Sequence, residues 1–136
     1  MLAYKLEDIQ LSANVGTDEK CAAVKKQIEE IRKLLEARDE RAFHRICVMI
    51  YRYPELPYGH NLLGLLYERE GRTREAIRQY RAALALAPNF MSADRNLQRL
   101  TVCGAEGSFD LDYGDHDFSF EQIAPNKNHF IRWFHN

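Results

Sequence analysis

The amino-acid sequence predicts an all-helical protein built from antiparallel helix pairs. Apolar residues recur at helical spacing through residues 19–104, and proline or glycine interrupts the pattern at short intervals. Pro54 and Pro88 lie 34 residues apart, as do Ala42 and Ala76, so the pattern repeats along the chain. Short connections between helices favour antiparallel neighbours.

Two helices account for the first part of the pattern. Thr17 or Asp18 can cap a helix over roughly 19–37, because a short side-chain oxygen satisfies free amides of the first turn. Its apolar positions are Val24, Ile28, Ile31, Leu34 and Leu35. Asp39 can cap a second helix, which must stop before Pro54. The apolar positions of that helix are Ala42, Phe43, Ile46, Cys47 and Ile50.

The third and fourth helices have clear start and stop signals. Pro57 can open the third helix, where its missing amide proton costs nothing, and Gly71 can end it in a left-handed conformation. Thr73 starts the fourth helix, which stops ahead of Pro88. These signals predict one helical hairpin.

The helical pattern ends with a fifth helix, which starts at Asn89 or Ser92 and closes at Gly104. The tail, residues 105–136, has a different character, since apolar and acidic residues alternate through residues 108–122. This alternation predicts either a short hairpin or an extended ribbon on the helices. The expected organisation is an N-terminal segment (1–18), a helical domain (19–104) and a non-helical, acidic and aromatic tail.

The helical hairpin resembles a tetratricopeptide repeat. The residues at the family's spacings are His60, Leu63, Gly64, Tyr67, Ala76, Tyr80, Ala83 and Pro88. The family usually has tryptophan at the position of His60 and more often phenylalanine at that of Tyr80. Gly64 and Ala76 are small where two paired helices approach most closely. The resemblance implies an α-solenoid of stacked helix pairs.

Two weaker repeats flank the strong one at residues 57–90. Residues 23–56 match it at Ala42, Ile46 and Pro54, and residues 91–103 resemble the first helix of a third repeat. In the first helix of the weaker repeat, a shift of 35 residues fits better than 34, as though one residue were inserted in the turn.

Such a short array needs a cover, because about three repeats are required for a stable stack. We expect aromatic residues of the tail to pack on the last helix, or alternatively on a second subunit. The candidate anchors are Phe118, Phe120, Phe130, Trp133 and Phe134.

The resemblance also implies a concave groove, lined by the first helix of each pair, that accepts an extended or helical peptide. On the third helix the groove residues would be Tyr58, Asn61, Leu65 and Glu68, and on the fifth Ser92, Arg95, Arg99 and Val102. Arg95 and Arg99 are one turn apart, so both guanidinium groups can bind one carboxylate or two neighbouring ones. The alternative is a solvated helix face. On the first helix, only Lys26 or Gln27 is a candidate for a further polar group.

Charge is divided unequally between the body and the tail. Residues 104–136 hold six acidic side chains against two basic ones, whereas the rest of the chain is mildly basic. We therefore expect residues 110–117 to lie across Arg95 and Arg99 and to compete with a ligand. The small basic excess does not favour a nucleic-acid partner.

Catalytic and metal-binding patterns are weak. The three cysteines, Cys21, Cys47 and Cys103, are far apart and predict buried thiols rather than disulfides or a zinc site. His44 and Cys47 share a helix face, but a closed zinc site needs four ligands. The tail places Asp110, Asp112 and Glu121 as in a calcium loop, without its glycine or flanking helices. We expect no cofactor, no metal and no enzymatic activity.

Taken together, the sequence predicts a cytoplasmic adaptor or regulatory protein that binds another protein or peptide and no membrane. An acidic peptide is one candidate partner. One alternative is a structural unit that forms a homo-oligomer through its aromatic tail. A metal-binding sensor is the third hypothesis.

Overall fold

Five α-helices follow one another within residues 17–103. They are α1 (Thr17–Glu36), α2 (Arg41–Arg52), α3 (Tyr58–Arg69), α4 (Thr73–Leu86) and α5 (Met91–Cys103). The computed structural model describes residues 17–103 and 111–115, and these two ranges contain no strand. Consecutive helices pack against each other, and α1 also packs against α3. The predicted all-helical repeat fold is confirmed.

The ends of α1 and α3 are closed by the same hydrogen-bond motif. After α3, Gly71 has φ +73°, and the Arg72 amide donates to Tyr67 O at 2.8 Å. After α1, Arg38 has φ +53°, and the Asp39 amide donates to Leu34 O at 2.9 Å. Glycine adopts this left-handed conformation without strain, whereas arginine does so at a cost.

The turn after α1 is one residue longer than the turn after α3. Residues 37–40 separate α1 from α2, and residues 70–72 separate α3 from α4. This extra residue accounts for the shift of 35 that fits the first helix of the weaker repeat. Accordingly, Ile28 and Ile31 are buried, whereas Glu29, Glu30 and Lys33 are exposed.

In the α3–α4 hairpin, the Tyr80 ring of α4 packs directly against Gly64 of α3. A Cβ atom at Gly64 would lie 2.5 Å from Cε1 of Tyr80, so only glycine leaves room for that ring. Tyr80, Ala76 and Ala83 are fully buried on α4. The close approach therefore involves Gly64 and the Tyr80 ring.

A second close approach joins α2 to α3. A Cβ atom at Gly59 would lie 2.5 Å from Cγ1 of Ile50. The remaining repeat-packing positions divide into buried and exposed groups. Leu63 and Ala42 are buried, Tyr67 is half-buried with the Arg72 guanidinium 4.5 Å from its ring centroid, and Pro54 and Pro88 are exposed where they follow helices.

The expectation that the cysteines are buried is wrong for Cys47. The buried stripe of α2 consists of Ala42, Ile46 and Met49, and Cys47 lies beside that stripe on the exposed side. Phe43 lies there too, with 49% of its surface exposed. Helical spacing alone did not define how wide the buried face of α2 is. Cys21 is half-buried.

Parts of the predicted organisation lie outside the described residues. These are residues 1–16, the side chain of Cys103, the candidate calcium ligands Asp110 and Glu121, and the anchors Phe118, Phe120, Phe130, Trp133 and Phe134. Helix α1 begins at Thr17, slightly before the predicted domain boundary. From the tail, the structure describes residues 111–115, which we call the docked segment.

Candidate peptide-binding groove

The docked segment contacts the first helix of each successive pair. Asp115 pairs with Arg32 of α1, and the main-chain oxygen of Asp112 accepts hydrogen bonds from Asn61 of α3 and Asn96 of α5. These contacts define a surface formed by α1, α3 and α5, which we call the groove. The groove residues predicted from the sequence belong to two of these helices, α3 and α5.

Two asparagine side chains hold the main chain of the docked segment. Asp112 O accepts from Asn96 Nδ2 at 2.7 Å and from Asn61 Nδ2 at 2.9 Å. The Asp112 amide donates to Asn96 Oδ1 at 3.0 Å. Asn96 also donates to Asn61 Oδ1 at 2.9 Å, which joins α5 to α3. Both asparagines are fully buried, so each of these bonds satisfies a group that water does not reach.

Gly114 brings the main chain of the docked segment close to the wall of the groove. Its φ is +82°, a conformation that other residues adopt only with strain. A Cβ atom at this position would lie 3.0 Å from Cζ of Phe90 and 3.4 Å from Cδ1 of Tyr58. These two buried rings pack edge to face, with centroids 5.2 Å apart. The positive φ and the close approach to Phe90 therefore both favour glycine over other residues at this position.

Tyr113 is the buried side chain of the docked segment, with 8% of its surface exposed. The Arg32 guanidinium lies 5.0 Å from its ring centroid, a cation–π distance. Its hydroxyl accepts a hydrogen bond from Arg69 Nη2 at 3.3 Å. The ring thus lies between basic side chains of α1 and α3.

The two carboxylates of the docked segment are bound by arginines of different helices. Arg95 Nη1 donates to Asp112 Oδ2 at 2.9 Å, and Arg32 Nη1 donates to Asp115. Burial raises the pKa of Asp112, but hydrogen bonds from Ser92, the Gly114 amide and Arg95 outweigh it, so the pKa lies below its usual value of 3.8. The groove therefore favours the ionised carboxylate.

Beside the docked segment lies an open cleft of about 640 Å³. Its walls are Arg32, Arg95, Arg99, Leu111, Asp112, Tyr113 and Asp115. Three arginines and two aspartates line this cleft, and each of the arginines is paired with a carboxylate of the chain.

Arg99 has a different role from the one that its spacing to Arg95 predicts. Its guanidinium makes a two-point ion pair with Glu68, of which the Nη2–Oε2 distance is 2.8 Å. Tyr80 donates to the same Glu68 Oε2 at 2.7 Å. Hydrogen bonding to Glu68 raises the pKa of Arg99, and burial, more than the neighbouring Glu68 charge, raises that of Tyr80. Arg95 and Arg99 therefore bind different carboxylates, and Arg99 ties α5 to the α3–α4 hairpin.

The predicted groove residues of α3 are more buried than a free groove would leave them. Tyr58, Asn61 and Leu65 are fully buried, and Glu68 is 9% exposed. They lie beneath α5 and the docked segment, where Asn61 contacts the segment directly. On α5, Ser92 is buried, Arg95 is exposed and Val102 is 81% exposed.

The sequence did not single out three groups that bind the docked segment, namely Arg32, Asn96 and Arg69. Arg32 provides the basic group of α1, whereas Lys26 and Gln27 line another cleft, with α2. Asn96 had a detectable signal, since an asparagine 35 residues after Asn61 stands close to the repeat spacing. The partner of Arg69, Tyr113, is far away in sequence and gives no such signal.

Neither a metal-binding cluster nor a membrane-spanning helix occurs in the part of the chain that the structure describes. Residues 17–103 and 111–115 contain no group of three or more His, Cys, Asp or Glu side chains arranged to hold a metal. Asp112, a candidate calcium ligand, is engaged by Arg95. Among the same residues, no helix has the length and hydropathy needed to cross a membrane.

Comparison with known proteins identifies the repeat. The family model described as "Tetratricopeptide repeat" matches residues 57–90, which cover α3, α4 and the turn that follows. No curated protein and no solved structure shows a significant match to the chain. Domains of this repeat generally bind other proteins or peptides. Residues 57–90 are therefore a tetratricopeptide repeat, and further helices pack against it on both sides.

Proposed function

We propose that this chain is a non-enzymatic adaptor or regulatory module that binds an acidic segment of another protein in the groove. One observation carries the proposal. Five consecutive residues of the chain already lie in the groove, bound through both main chain and carboxylates by side chains of three helices. A surface that binds one acidic segment in this way is suited to another of similar chemistry.

The bonds in the groove match the two needs of peptide recognition. Main-chain hydrogen bonds give affinity for any extended peptide, and contacts to particular side chains give specificity. Asn61 and Asn96 supply the first kind through Asp112. Arg95 and Arg32 supply the second kind through two carboxylates.

The chemistry of these side chains supports binding rather than catalysis. Asparagine amides and arginine guanidinium groups hold substrates and charges, but neither serves as a nucleophile or a general base at neutral pH. Another ionisable group at the groove, Glu68, accepts hydrogen bonds from Tyr80 and from Arg99. A binding role needs no further group.

Selection from a library of displayed random peptides tests the proposal. The target is the full chain with Gly114→Val, because a side chain at this position prevents the docked segment from filling the groove. We expect enriched peptides to be acidic and to be lost when Arg95→Glu is added to the target. The matched control is Arg81→Glu, the same charge reversal at an exposed position of α4. Peptides that bind all three targets equally, or no enrichment at all, would contradict the proposal.

A further inference from the structure

We propose that the groove recognises an internal acidic turn of the pattern Asp-Tyr-Gly-Asp, and that residues 112–115 are this protein's own copy of that ligand. In the resting chain this copy occupies the groove, and a partner segment of the same pattern must displace it. The inference rests on the proposed function and adds to it the sequence of the ligand and the way access is regulated.

The ligand is an internal segment because the groove binds the main chain of Asp112 on both sides. Its amide donates to Asn96 and its carbonyl oxygen accepts from Asn96 and Asn61. The negative charges that Arg95 and Arg32 bind are side-chain carboxylates. A free chain terminus takes no part in these contacts.

The third position of the pattern must be glycine. At Gly114 the left-handed φ of +82° strains any other residue, and a Cβ atom would lie 3.0 Å from Cζ of Phe90, closer than an ordinary contact. The Gly114 amide also donates to Asp112 Oδ1 at 3.0 Å, so the turn holds its own first carboxylate in place for Arg95. Glycine therefore decides whether a segment fits.

The second position of the pattern prefers tyrosine to other aromatic residues. The ring lies within cation–π distance of Arg32, and its hydroxyl accepts a bond from Arg69. Phenylalanine would keep the first contact and lose the second. Aliphatic residues would lose both.

Displacement is feasible because the docked segment is bound mainly by polar contacts. Only Tyr113 and Gly114 of its five residues are buried, and the carboxylates of Asp112 and Asp115 are held by ion pairs that are partly open to water. A partner segment that forms the same bonds replaces them one for one. The apparent affinity for the partner is reduced in proportion to the fraction of molecules whose groove is free.

A fluorescent synthetic peptide of residues 108–117, with both ends chemically blocked, tests the inference by anisotropy. It is titrated with the wild-type chain and with the full chain carrying Gly114→Val. If the chain's own copy occupies the wild-type groove for at least nine-tenths of the time, the variant binds the peptide about tenfold or more tightly. Equal affinity for the two chains would overturn the inference.

The peptide itself carries the second comparison. A peptide with Gly114→Val should bind the Gly114→Val chain about tenfold or more weakly than the original peptide does, since the clash moves from chain to ligand. If the two peptides bind equally, the proposed pattern is wrong. Enrichment of unrelated acidic peptides in the library selection would then leave the proposed function standing, so the two failures are distinguishable.

Two further measurements keep the test decisive. If the Gly114→Val chain does not fold, as judged by circular dichroism, a Tyr113→Ser chain replaces it and the same ratio is expected. Light scattering on the wild-type chain should give a monomer. A dimer that dissociates on Gly114→Val would show that the occupant comes from a second copy, and would overturn docking within one chain.

Discussion

Asn96 of α5 donates a hydrogen bond to Asn61 of α3 at 2.9 Å, directly beneath the docked segment. The same two amides hold Asp112. The packing of α5 on α3 and the binding of the segment therefore depend on each other.

Removal of the Asn96 amide should destabilise the protein. In Asn96→Ala, Asn61 Oδ1 and the Asp112 amide lose their buried partner, which costs roughly 1–3 kcal/mol. Denaturant unfolding followed by circular dichroism measures the change. Gln98→Ala is the control, since its side chain is exposed on the same helix, and it should alter the free energy of unfolding little. Equal effects of the two substitutions would show that the hydrogen bonds of Asn96 contribute nothing to stability.

Neutralisation of Glu68 should lower the free energy of unfolding more than Asn96→Ala does. The Glu68 and Arg99 side chains are only 5% and 11% exposed, so Glu68→Gln leaves a buried guanidinium without its counter-charge. The expected loss is about 3 kcal/mol or more of unfolding free energy. Replacing both partners, as Glu68→Gln with Arg99→Met, should recover part of this loss. Failure of the double variant to improve on the single one would argue against the pair as its cause.

The left-handed residue after α1 offers a stabilising substitution. Arg38 adopts φ +53°, where glycine is free of steric strain. We expect Arg38→Gly to raise the free energy of unfolding by about 0.5–1 kcal/mol, after allowing for the greater freedom of glycine in the unfolded chain. Arg38→Ala controls for loss of the arginine side chain and should give no gain. A gain from alanine equal to that from glycine would point to charge instead of backbone strain.

Docking of the segment should depend on pH through Asp112. The folded pKa of this carboxyl is lowered, so its contribution is fully present above its usual value of 3.8 and is lost as the pH falls through the lower, folded value. The NMR shift of the Gly114 amide, which bonds to Asp112, should therefore change only below about pH 4. In Asp112→Asn this titration should be absent. A transition of the same amide near neutral pH would require a different group.

Much of the helical fold could be predicted because its signals are local. Pro54, Gly71 and Pro88 mark helix boundaries through backbone geometry that depends on a few neighbouring residues. The 34-residue spacing then relates one helix pair to the next. Local signals of this kind do not define the width of a buried face, which is why Cys47 and Phe43 were placed inside.

The groove was predictable only in outline. Repeat spacing was enough to place Asn61 and Arg95 at the groove. It did not predict the partner of Arg99, because Glu68 forms a buried ion pair between helices. The hydrogen bonds to the main chain of Asp112 join residues 61, 96 and 112, which only the folded chain brings together. No periodic pattern encodes such contacts.

The most direct test of the account is a nuclear Overhauser spectrum of the full wild-type chain in solution. Seating of the docked segment predicts cross-peaks between the Gly114 α-protons and the ring protons of Phe90 and Tyr58, since a Cβ atom there would lie 3.0 and 3.4 Å from those rings. Gly71 also has a positive φ, +73°, but nothing lies within 4 Å of such an atom there, so it serves as the internal reference. Assigned Gly114 protons without any cross-peak to either ring would contradict the central claim.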